Sequence, residues 1–141
     1  MFGPQGKAIS SYKNVGLETG VDSADPHKLI AMLLDAAMLS LSKAAEAIRQ
    51  KQIEKRGLSI SMAIDIISSG LQASIDKEAG GEIADRLDAL YNYMCTRLLF
   101  ANLHSDLAAI QEVSYLLGEI KAGWEEIAND PAVASRNKVA T

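Results

Sequence analysis

The sequence predicts an all-α fold, an antiparallel four-helix bundle with a mobile N-terminal segment, on three observations. Four long segments repeat apolar residues at spacings of three and four, short breaks separate them, and no catalytic pattern interrupts them. Such spacings put one side chain per turn on one helical face. Four such faces joined by short breaks are hidden by packing on one another.

The first stripe is Ile30, Leu34, Ala37, Leu41, Ala44 and Ile48. Asp25 is placed to cap free N–H groups, and Pro26 suits the first helical position because its missing N–H would be unpaired there anyway. The helix is expected to run to about Gln50. The second stripe is Ile53, Gly57, Ile60, Ile64, Ile67 and Leu71, reaching about Lys77. No Gly or Pro marks the join. One helix through both would span about 75 Å at 1.5 Å per residue, too long for so small a domain, so a tight turn is expected. Gly80-Gly81 breaks the chain, and Glu82 and Asp85 then stand in the first turn of the third helix, where the helix dipole favours negative charge. Its stripe is Ile83, Leu87, Leu90, Met94, Leu98 and Ala101, ending near Asn102. Ser105 is the expected cap of the fourth helix, with Leu107, Ile110, Val113, Leu117, Ile120, Trp124 and Ile127 as its stripe. Asp130-Pro131 stops it near Asn129, because a residue before proline avoids helical geometry.

These boundaries give a flexible segment over 1–24 that can dock on the bundle, a bundle domain over 25–129 and a disordered tail over 130–141. The first segment holds Gly3, Pro4, Gly6, Gly16 and Gly20. One helical turn there would present Ile9, Tyr12 and Val15 on a small apolar face. The alternative is a disordered leader with incidental apolar residues.

The 141 residues suit one domain with one core. Aromatics are 5%, so aliphatic side chains must build that core. A net charge of −4 with scattered Lys and Arg gives no basic face for nucleic acid. No secretory signal pattern occurs in Met1–Gly20, and no stretch approaches the roughly 20 apolar residues of a membrane span. The single cysteine, Cys95, excludes an internal disulfide framework and fits a reducing cytoplasm.

Helix one carries more apolar surface than an outer bundle helix needs, with Leu29, Met32, Leu33, Met38 and Leu39 beside its stripe. Helix two adds Leu58, Met62 and Ile66; helix three adds Tyr91, Tyr93 and Leu99. A helix apolar around most of its circumference is either central or covered by a partner, and an exposed apolar groove marks an interaction site. Both explanations fit. Chemistry finds little support. His27 and His104 stand at expected helix starts without ligand-spaced neighbours. Cys95 reads as a small hydrophobe rather than a nucleophile. No Glu-x-x-His pair of a di-iron bundle and no phosphate loop occurs. No metal, cofactor or catalytic residue is expected, and the chain reads as a binding protein rather than an enzyme.

The order of features resembles a known family. Tyr12 precedes Asp25-Pro26-His27-Lys28-Leu29-Ile30-Ala31-Met32-Leu33. Gly80-Gly81-Glu82-Ile83-Ala84, Leu90-Tyr91-Asn92-Tyr93, Ala101-Asn102 and a late Trp124 follow. From Tyr12 to Trp124 this is similar to the bacterial flagellar export chaperone family FliS. It departs at Leu33-Leu34-Asp35-Ala36, where members often carry Leu-Tyr-Asp-Gly. The resemblance implies a cytoplasmic antiparallel bundle that binds the disordered C-terminal segment of flagellin, prevents premature polymerisation and helps present the subunit to a component of the flagellar export gate. It also implies that the N-terminal segment can pack where the client would lie. Face and family motif together select Ile9 and Tyr12 as tail contacts. They select Leu34, Met38, Ile67, Leu71, Tyr91, Met94 and Asn102 as groove residues. A helical adaptor or oligomerisation module with a different client shares the same bundle, and a homodimer stays open.

Overall fold

The computed structural model describes residues 25–128, so Ile9 and Tyr12 lie outside the described residues. Four helices make up this region, α1 (Pro26–Arg49), α2 (Ile53–Asp65), α3 (Lys77–His104) and α4 (Leu107–Ala128), and no strand occurs among the described residues. Each helix packs on its sequence neighbours, and α1 also packs on α4, while α1 and α3 face each other across the diagonal. Consecutive helices run antiparallel, as the expected bundle requires.

Both turns at one end close in the same way. After α1 the amide of Gln52 donates to the carbonyl of Ala47 at 2.8 Å and that of Lys51 to Ile48 at 3.2 Å. After α3 the amide of Asp106 donates to Ala101 at 3.0 Å. These bonds satisfy the last carbonyls of each helix, and they require a left-handed residue after it. Lys51 (φ 56°) and Ser105 (φ 51°) take that position. Ser105 therefore ends α3 rather than capping α4. The cap of α4 is Asp106, whose Oδ1 accepts from the amide of Ala109 at 3.2 Å.

The other link is looser. α2 widens into a π-helical stretch over Ile66–Leu71 and tightens to a 3₁₀ turn over Gln72–Ser74, ending three residues before the expected Lys77. The π stretch turns Ile66, Ile67, Gly70 and Leu71 all inward. Ile75 is extended, and Asp76 caps a short turn by accepting from Ala79 at 3.1 Å. The Gly80-Gly81 break divides its work between the two glycines. Gly81 has φ 55° and ψ −128°, open only to glycine. A Cβ on Gly80 would stand 2.6 Å from that of Ala84.

The core holds Leu34, Leu41, Ile60, Ile67, Leu71, Met94, Leu98, Ile110, Val113 and Leu117, all essentially enclosed. Each such side chain contributes about 1.5–3 kcal/mol by leaving water. Most of the surplus on α1 is core as well, because Leu29 and Leu33 are buried and Met32 and Met38 half-buried; Leu39 stays outside. Polar bonds fasten the seams. His27 and Trp124 stack at 4.4 Å between α1 and α4, and Trp124 Nε1–H donates to the His27 carbonyl at 2.9 Å. His27 Nε2 lies 2.9 Å from the Trp124 carbonyl. Between α3 and α4, Arg97 and Tyr93 both donate to Glu112, and the Tyr93 hydroxyl followed by Arg97 holds the Glu112 carboxyl below its usual range.

Candidate functional site

Two apolar surfaces stand out among the described residues. The first is a stripe on the outer face of α2 and α3. Arg56 Nε–H donates to Asn102 Oδ1 at 3.2 Å and the same guanidinium to Ser105 Oγ. At the far end Gln72 donates to Asp88 Oδ1 at 2.9 Å and Asn92 Oδ1 at 2.8 Å. These bonds hold the two helices in an antiparallel register that brings Met62 level with Leu99 and Leu58 level with Leu103. All four are exposed, Met62 at 58%, Leu99 at 61%, Leu58 at 66% and Leu103 at 78%. Ile66 is buried on the adjacent face of α2 and Cys95 is half-buried on α3. Burial pushes the Cys95 thiol up, away from the reactive thiolate. A row of large aliphatic groups one helical turn apart, on two rigid helices, suits an amphipathic segment laid along it.

The second surface is the open end of the bundle, where the link after α2 leaves the core uncovered. Ile30, Leu71, Ile75, Leu87, Tyr91 and Trp124 line a cavity of about 300 Å³ there, with Ile83 on its rim. Burial raises the Tyr91 phenol to about 12, so it stays protonated.

The expected groove residues divide among these places. Leu71 and Tyr91 meet at the open end. Asn102 borders the stripe, held by Arg56. Leu34, Ile67 and Met94 are enclosed in the core and offer no surface of their own, because they sit where the helical faces meet. Met38 lies on the α1–α4 seam, where a Cβ at Gly118 would be 3.6 Å from its Cε. Leu58, Met62 and Leu99 were visible in the sequence as apolar residues off the main stripe. Leu103 and the rim position of Ile83 were not, since periodicity alone placed Ile83 inward, whereas it is 76% exposed.

Among the described residues no group of His, Cys, Asp and Glu could hold a metal ion, and no helix is long and apolar enough to cross a membrane. Comparison with known proteins points one way. The model of the family described as flagellar protein FliS matches residues 8–131. The chain is 46% identical to the flagellar secretion chaperone FliS of Salmonella typhimurium over 84% of its own length and 88% of that protein. It is 42% identical to the flagellar secretion chaperone FliSB of Pseudomonas aeruginosa, over 87% of this chain and 97% of that one. With the flagellar secretion chaperone FliS of Escherichia coli it shares 37% identity over 90% and 93% of the two chains. A four-helix bundle with an uncovered apolar face and a family match over most of its length leads to one assignment: the chain belongs to the FliS family.

Proposed function

We propose that this chain is a cytoplasmic export chaperone that binds the C-terminal segment of flagellin along the α2–α3 stripe, keeps it from polymerising early and delivers it to the flagellar export gate. The observation that carries this reading is the exposed row of Leu58, Met62, Leu99 and Leu103 in a member of the FliS family. A disordered segment loses conformational freedom when it folds on a partner, so a large apolar contact must compensate. Leu34, Ile67 and Met94 serve as the stiff backing of that surface and Asn102 marks its upper end, whereas Leu71 and Tyr91 lie beyond it, at the open end of the bundle. Ile9 and Tyr12 lie over the stripe until the client arrives. The protein works by binding rather than catalysis, as membership of a chaperone family suggests.

The test is calorimetry against a peptide of the cognate flagellin C-terminus. One-to-one binding with a large negative heat-capacity change is expected, the sign of coupled folding on an apolar surface. Met62→Ser with Leu99→Ser should weaken it by about 2 kcal/mol or more, as expected for central anchors, while the exposed positions leave folding intact. Unchanged affinity in that variant would sink the stripe as the client site.

A further inference from the structure

We propose that the open end of the bundle is a second docking site, for a basic amphipathic segment of a partner protein that sets an aliphatic side chain between Trp124 and Tyr91. The cavity itself is lined almost wholly by aliphatic and aromatic groups, and Ile83 stands exposed on its rim. Tyr91 is 2% exposed, yet its hydroxyl bonds to no described residue.

The charge around this cavity selects the partner. Glu78, Asp85 and Glu126 meet no cation among the described residues. The nearby bases Lys77 and Arg86 are already engaged, by Asp88 at 3.3 Å and Glu82 at 2.6 Å; Lys28 is the exception. Two helix starts and two helix ends meet here, so their dipoles oppose one another and side chains set the sign. The opposite end of the bundle carries Lys51, Lys55 and Arg56 instead. An apolar cavity with Asp76 in its lining, and with Glu78, Asp85 and Glu126 within two positions of lining residues, concentrates cations and steers a basic segment onto it. The chain's own residues 1–24 offer Lys7 and Lys13 beside Ile9 and Tyr12. They also carry Glu18 and Asp22, which balance the two lysines. A segment without a positive balance suits a negative rim less well than a separate basic partner does. The site stands apart from the α2–α3 stripe and does not depend on what binds there.

Trp124 is the only tryptophan of the chain, so its emission reports occupancy directly. The probe is an amphipathic Leu–Lys peptide of about four helical turns, free of aromatic residues, titrated into the full chain. Leu–Glu and Ser–Lys peptides of equal length are the controls. The Leu–Lys peptide should shift the emission saturably at one-to-one, and both controls should bind at least about tenfold more weakly. Ile83→Ser, and separately Glu78→Gln with Asp85→Asn, should each weaken the Leu–Lys peptide about fivefold or more; all three positions are exposed, and melting curves verify the fold. Saturating flagellin C-terminal peptide should leave that affinity unchanged. Equal binding of the Leu–Glu peptide, an unmoved Trp124 signal, or no effect of Ile83→Ser overturns the proposal. So does competition by the flagellin peptide, which would make the cavity part of the client site. A shift of Trp124 emission by Ile9→Ser with Tyr12→Ser, without added peptide, would show the chain's own segment as the occupant and equally overturn it.

Discussion

The two ends of this bundle are built on opposite principles. At the turn end, two short connections close with the same backbone bonds, and Arg56 reaches from α2 to Asn102 and Ser105, so the α1–α2 corner is fastened to the α3–α4 corner. At the open end one connection is a loosened helix with an extended residue and a glycine kink, and the His27–Trp124 pair is the clasp between α1 and α4. One end spends its polar groups on the fold. The other leaves a cavity, an exposed isoleucine and several carboxylates that meet no cation among the described residues. Rigidity at one end and unfinished packing at the other separate what holds the protein together from what it offers to partners.

Core truncation tests that contrast most strongly. Leu98→Ala, near the turn end and fully enclosed, should cost about 2–5 kcal/mol in urea unfolding. Leu87→Ala, half-buried on the cavity wall, should cost about 1–2 kcal/mol, because part of its surface already faces a void. Equal losses would mean that the open end is packed as firmly as the other. The left-handed residues give the next effect, with opposite signs. Gly81→Ala has no neighbour within 4 Å of the new Cβ, so its loss of about 1–3 kcal/mol would be backbone strain alone. Lys51→Gly at the turn end should instead gain up to about 1 kcal/mol, since a non-glycine residue is held there at positive φ. If both variants destabilise, the Lys51 side chain holds the turn through a contact that offsets its strain.

The smallest effect depends on pH. The Asp88 carboxyl lies below its ordinary 3.8, first because Gln72 donates to it and then because Lys77 sits beside it. A carboxylate lowered in the fold stabilises above its unfolded value and loses that contribution as the pH falls through the folded one. Asp88→Asn should therefore lower Tm slightly at neutral pH, and the gap from the parent should close below pH 3.8. Arg56→Met, whose partners Asn102 and Ser105 do not titrate, should show the same gap at both pH values. A pH-independent Asp88→Asn gap would show that its charge is not what the open end uses.

The helices and most of the core were legible because hydrophobic period and packing are the same physics. Leu34, Leu41, Leu98 and Leu117 fall on stripes that the structure buries. The turns were less so: Lys51 and Ser105 adopt left-handed geometry that favours glycine, so no residue type announced it. The candidate site was half legible. The sequence marked Leu58, Met62 and Leu99 as apolar surplus, but a periodic stripe names the residues that face other helices first, and those are the ones the bundle encloses. Ile83 shows the limit from the other side. It lies in phase with the core, yet the kink at Gly81 and the end of α2 leave nothing beside it, a tertiary fact outside any single-helix pattern.

The α1–α4 seam carries a consequence for how the chain acquires its structure. Three of the four helix contacts join sequence neighbours and need only short loops to close. The fourth joins His27 to Trp124, 97 positions apart, and encloses nearly the whole bundle in one loop. Loop closure grows costlier with length, and contacts between distant positions slow a chain's approach to its native state. Three local hairpins are therefore expected to form first and the sealing of the ring last, an order that stopped-flow Trp124 fluorescence would read.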